Sequence, residues 1–148
     1  MTEWLRWTAP AAALVSLTAP AYAVQYMSVA EAQKAAFPSA SLTEVQSGRV
    51  WKTSSGGIFV LDHVIGKHLD IAVSIEGGRV RRVDILAYRE SYGGEVRSPS
   101  WLSQFVGKTS ASPLKVGSDI RNISGATLSS MHITEGIKRI LSAYGNTR

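Results

Sequence analysis

No cysteine occurs among the 148 residues. This excludes a disulfide framework, thiolate metal sites, iron–sulfur ligation and c-type haem attachment together. Any redox chemistry must therefore come from a bound organic cofactor or from the three histidines. His63 and His68 stand five apart in a region patterned as strand and turn, so the spacing of a helical metal pair is missing. His132 falls on the polar side of the last helix, and no metal site is expected. A Ser/His/Asp spacing signature is also lacking. The glycine after Ser124 does not make a nucleophile elbow, so no catalytic residue is expected. Neither internal repeats nor low-complexity tracts interrupt the chain.

Met1 to Arg6 forms a short leading region with one cation, Arg6, opposed by Glu3. An apolar stretch from Trp7 to Leu17 follows, and Ala21-Tyr22-Ala23 fits the small-x-small pattern of a signal-peptidase site. The expectation is a signal peptide over 1–23 and one domain over 24–148, in a periplasmic or otherwise exported protein, with membrane association as an option. The alternative is an uncleaved anchor, since Trp7 to Val24 approaches spanning length. The formal charge of +5 suits acidic redox partners or anionic headgroups, and export argues against nucleic acid. Arg79, Arg81 and Arg82 form the one tight basic group and read as a solvated strand face.

Ser28-Val29-Ala30-Glu31 is a capping box that opens a short helix ending at Pro38. Gly48 to Trp51 reads as a brief strand, and Ile58 opens another after Gly56-Gly57. Leu69 to Ile75 alternates, with Ile71, Val73 and Ile75 on one face. Gly77-Gly78 suits a tight hairpin, and Val80 to Tyr88 is the return strand. Ser98-Pro99 starts a helical turn packed by Trp101, Leu102 and Phe105 and ended by Gly107. Strands in the middle with helices at both ends indicate an α+β fold, an antiparallel sheet with flanking helices.

Ser124-Gly125-Ala126-Thr127-Leu128-Ser129-Ser130 stands where a loop enters the last amphipathic helix, whose apolar stripe is Ile133, Ile137, Ile140, Leu141 and Tyr144. Ser124 or Gly125 is expected near the N-cap and Thr127 in the first turn. Free backbone N–H groups and the helix dipole favour an anion there, and Gly125 permits its close approach. Thr127 falls on the border of the apolar stripe, level with Thr134 and Lys138, so its hydroxyl is accessible.

Ser-Gly-Ala-Thr followed by Leu-Ser-Ser, with Ile123 before it, resembles the flavinylation motif of FMN-binding domains. Such domains occur in the flavin subunits of sodium-pumping quinone reductases and Rnf-type complexes. The resemblance implies that the Thr127 hydroxyl carries FMN through a phosphoester, installed by a flavin transferase from FAD. It implies a cofactor-binding role for Ser124, Gly125, Ala126, Thr127 and Ser130. The family's motif often has an acidic residue three positions before its serine; here that residue is Arg121, with Asp119 two positions earlier. By the same resemblance Glu90-Ser91-Tyr92-Gly93-Gly94 contacts the flavin from the sheet side. Glu90, Gly93 and Gly94 are the expected contacts, and Tyr92 and Trp101 are candidate stacking partners.

The implied function is an exported flavoprotein that carries electrons between membrane or periplasmic redox partners, rather than a stand-alone enzyme. A flavin-dependent redox sensor or assembly module of a membrane redox complex is the alternative. A flavin-free binding domain is the third reading.

Overall fold

The computed structural model describes residues 24–64, 69–89 and 93–146. The expected signal segment lies outside the described residues, as do Glu90, Tyr92 and His68. An antiparallel six-stranded sheet runs in the order β1-β6-β5-β4-β3-β2. Its strands are β1 (Val24–Gln25), β2 (Leu42–Gln46), β3 (Val50–Thr53), β4 (Ile58–Val64), β5 (Leu69–Glu76) and β6 (Arg79–Tyr88). Among the described residues three α-helices accompany it: α1 (Val29–Ala36), α2 (Pro99–Leu102) and α3 (Thr127–Tyr144). The α+β expectation holds.

The first helix begins as its sequence dictates. Ser28 Oγ accepts from the Glu31 amide, and Glu31 returns the bond to the Ser28 amide, closing the capping box of α1. Gly77 and Gly78 both take positive φ, 60° and 74°, which lets β5 turn directly into β6. The brief strand expected from Gly48 starts at Val50, because Gly48 is itself a turn residue at φ 62°.

The sheet is covered on both faces, and Ile71, Val73 and Ile75 share one of them as their alternation implies. Those residues meet Ile133, Ile137 and Leu141 of α3, while Phe59, Ala72 and Leu86 meet Ala32, Ala36 and Phe37 around α1. Each fully buried Ile or Leu contributes about 1.5–3 kcal/mol relative to exposure. Gly136 brings α3 close to the sheet: a Cβ there would stand 2.8 Å from Val64 Cγ1.

Two bulges set the aim of β6. Its register against β5 shifts between Ser74 and Ile75 and again between Asp70 and Ile71. Val80, Val83, Ile85 and Tyr88 therefore share the α3 face, at spacings of three, two and three instead of a uniform two. The second bulge is what turns Tyr88 towards α3.

Candidate functional site

The approach to α3 is a long segment fixed by side chains. Asp119 accepts from the amides of Leu114 (3.0 Å) and Lys115 (2.8 Å) and from Lys108 Nζ (3.1 Å). Burial pushes the Asp119 carboxyl up, but the Lys115 and Leu114 amides and the Lys108 ammonium outweigh it and hold it below the usual carboxylate range. Leu114 is buried at a positive φ of 47°, a conformation the Asp119 clamp helps to maintain. Asp119 thus organises the loop upstream of the motif. Farther on, Arg121 is held on both sides of its backbone, its amide donating to Gln104 Oε1 (2.8 Å) and its carbonyl accepting from Trp101 Nε1 (2.7 Å).

Ser124 and Gly125 make the last turn before the helix, with Gly125 at φ 82° and open space where a Cβ would stand. The N-cap position belongs to Ala126, one residue later than expected, and no side chain among the described residues caps it. The Ser130 amide makes the first bond, to Ala126 O. The earlier amides of an eighteen-residue helix are left facing outward with the positive end of its dipole. Thr127 is the first helical residue and is exposed. Its Oγ1 accepts from Asn122 Nδ2 at 3.0 Å.

The two hydroxyls that follow in the helix are occupied differently. Ser130 is fully buried and donates to Ala126 O (2.9 Å), and Thr134 donates likewise to Ser130 O (2.7 Å). Ser129 shares a buried hydrogen bond with Tyr88 Oη (3.0 Å). Leu128 and Met131 are 71% and 42% exposed, an apolar surface beside Thr127.

Tyr88 and Ser129 join the end of β6 to the first turn of α3, and Gly93 closes against both. A Cβ at Gly93 would collide with Ser129 Oγ and stand 2.8 Å from Tyr88 Oη, and its φ is 83°. Gly94, by contrast, has open space around it and starts a 3-10 turn, Gly94–Arg97. The structure therefore brings the glycine turn and the Ser-Gly-Ala-Thr segment to one end of the molecule. Asp70 anchors that end, accepting two bonds from Arg89 (3.1 and 2.9 Å) and pairing with His63 Nδ1 (2.5 Å). Burial raises the Asp70 carboxyl, but Arg89 and His63 together hold it below its ordinary value.

The family model for the FMN-binding domain matches residues 65–142. The chain belongs to the FMN-binding domain family. It is accordingly a flavoprotein whose cofactor is FMN, and the matched residues include β5, β6, the Gly93-Gly94 turn and the start of α3. The match begins after β4 and ends within α3. A search of curated proteins and of solved structures returns no significant match.

FMN fits this end of the family domain. A phosphate suits the uncapped amides beside Gly125, and an aromatic ring suits the exposed Leu128 and Met131 surface. Trp101 is not a stacking surface: it is 4% exposed and packs edge-on against Phe105, with ring centroids 5.1 Å apart. Asn122 and Met131 were not legible as site residues. The sole local hint was their closeness in sequence to the motif, while the contact between Tyr88 and Ser129, both read as near the site, spans 41 residues and was not legible. Among the described residues no group of three acidic or histidine side chains could hold a metal ion.

Proposed function

We propose that this FMN-binding domain protein is exported, carries FMN covalently on Thr127 through a phosphoester, and passes electrons between membrane or periplasmic partners. The observation that carries the proposal is the Thr127 hydroxyl: exposed, at the uncapped start of α3, and the acceptor of its one described hydrogen bond. A flavin transferase matures the protein. Bound FMN supplies reversible uptake and release of electrons, and the protein supplies attachment, orientation and electrostatics.

Within this reading Ser124, Gly125 and Ala126 form the phosphate turn, with the exposed amides of the first helical turn as donors. Ser130 acts from below, its hydroxyl tying Ala126 O into the helix. Gly93 and Gly94 approach the ring from the sheet side, and Glu90, expected beside them, lies outside the described residues. A covalent link holds the cofactor at high effective concentration where free FMN is scarce, which suits an exported carrier. The expected cleavage after Ala23 leaves Val24 as the first residue, and Val24 pairs with Tyr88 at the edge of the sheet. No helix among the described residues is long and apolar enough to cross a membrane.

The test is rapid mixing of flavin-loaded protein with membranes whose quinone pool has been reduced. A carrier's flavin absorbance bleaches within the turnover time of the chain and recovers on adding an oxidised acceptor. Absence of exchange, together with a flavin-dependent change in partner affinity, would replace the carrier with the sensor.

A further inference from the structure

The acid that the family's motif often places three residues before its serine is absent, and the structure puts a different group against the acceptor hydroxyl. Asn122 Nδ2 lies 3.0 Å from Thr127 Oγ1. The loop carrying Asn122 is fixed on both sides, by the Trp101 and Gln104 bonds to Arg121 and by the Ala126 amide donating to Ile123 O (2.9 Å). That last bond also engages the carbonyl four residues before Thr127, the group to which a helical threonine ordinarily donates. Ser130 and Thr134 both donate in that way. Thr127 instead accepts, and its proton stays available.

We propose that Asn122 is a positioning residue for flavin attachment, and the proposal rests on Thr127 being the acceptor. The carboxamide donates to one lone pair of Oγ1, fixes the side-chain rotamer, and stabilises the negative charge that grows on the oxygen as its proton leaves. The other lone pair faces solvent, where the transferase presents FAD. In the step so favoured, Oγ1 bonds to the flavin-side phosphorus, and the bond from that phosphorus to the bridging oxygen breaks. AMP departs with the electron pair, and the threonine proton passes to a base of the transferase. No electron changes hands between flavin and protein. The Ser129 and Ser130 side chains are buried and already bonded, and of the two exposed hydroxyls, Ser124 and Thr127, it is Thr127 that Asn122 meets.

Purified apo-protein, transferase and FAD test this by the initial rate of covalent labelling at varied acceptor concentration. Asn122→Ala is expected to lower kcat about tenfold, the size of one well-placed hydrogen bond, with KM for the acceptor protein within about twofold. Asn122→Asp, which cannot donate once ionised, is expected to be equally slow. Three-bond couplings across Thr127 Cα–Cβ, read by NMR on the apo-proteins, should report one rotamer in the parent and averaging in Asn122→Ala. An unchanged kcat, a loss confined to KM, or full activity of Asn122→Asp would overturn the proposal while leaving the Thr127 reading intact. Labelling of Thr127→Val at the parental rate would instead overturn the attachment reading itself.

Discussion

Gly93 and Gly94 are neighbours in the chain, yet their substitution should have opposite consequences. At Gly93 an alanine must adopt φ 83°, and its Cβ meets Ser129 Oγ, Ser129 Cβ at 3.2 Å and Tyr88 Oη at 2.8 Å. A left-handed backbone costs roughly 1–2 kcal/mol for a residue with a Cβ. Crowding a packed contact adds about 1–3 kcal/mol. The neighbours cannot move freely, because they hold each other by a buried hydrogen bond. A total of about 2–5 kcal/mol follows, which for a domain of this size lowers Tm by roughly 7–18 °C. At Gly94 no atom lies within 4 Å of the added Cβ and φ is not positive, so Gly94→Ala should change stability by at most about 0.5 kcal/mol. Thermal unfolding of the two apo-variants followed by circular dichroism makes the comparison. The reasoning is refuted if Gly93→Ala melts within 2 °C of the parent (about 0.5 kcal/mol), or if the two variants melt together.

Other consequences are equally open to measurement. Because Asp119 titrates below its ordinary value in the folded protein, its clamp contributes stability above about pH 4 and loses it as pH falls through the carboxylate range. Hydrogen-exchange protection of the Leu114 and Lys115 amides should drop over that window, and Asp119→Asn should lack the transition; protection constant with pH in the parent would refute this. Gly136→Leu forces side-chain atoms into Val64 and should destabilise by roughly 1–3 kcal/mol despite better helix propensity; an unchanged denaturation midpoint would contradict the close packing of α3 on the sheet. N-terminal sequencing of the exported protein should begin at Val24, and retention of Met1 on membrane-bound material would overturn the cleavage expectation.

The elements that announce themselves locally were legible: the Ser28 capping box, the Gly77-Gly78 hairpin and the apolar stripe of α3. β2 was not, because Leu42–Gln46 is an edge strand with four exposed residues and carries no alternating pattern. Burial of both sheet faces was hidden for a related reason. Ala72 and Ser74 look like the open side of β5 but lie under Phe59 and α1 and beside Arg82, respectively. Thr127 could be read from its motif and its helix. The groups that surround it could not, since a bulge aims Tyr88 at Ser129 and a clamped loop brings Asn122 to the hydroxyl. Asp119 carried no local sign that it binds two amides of its own loop. Register and loop closure are non-local, and residue types alone do not encode them.

The central claim is that the Thr127 oxygen forms the bond to FMN. Thr127→Val keeps the shape of the side chain and removes the one atom able to make that bond. Each protein is co-expressed with a flavin transferase, denatured, and its intact mass recorded. The parent should gain the mass of one FMN less water and retain flavin fluorescence in a denaturing gel, while Thr127→Val should fold and gain nothing. A fully labelled Thr127→Val protein would contradict the account and move the attachment to Ser124, Ser129 or Ser130.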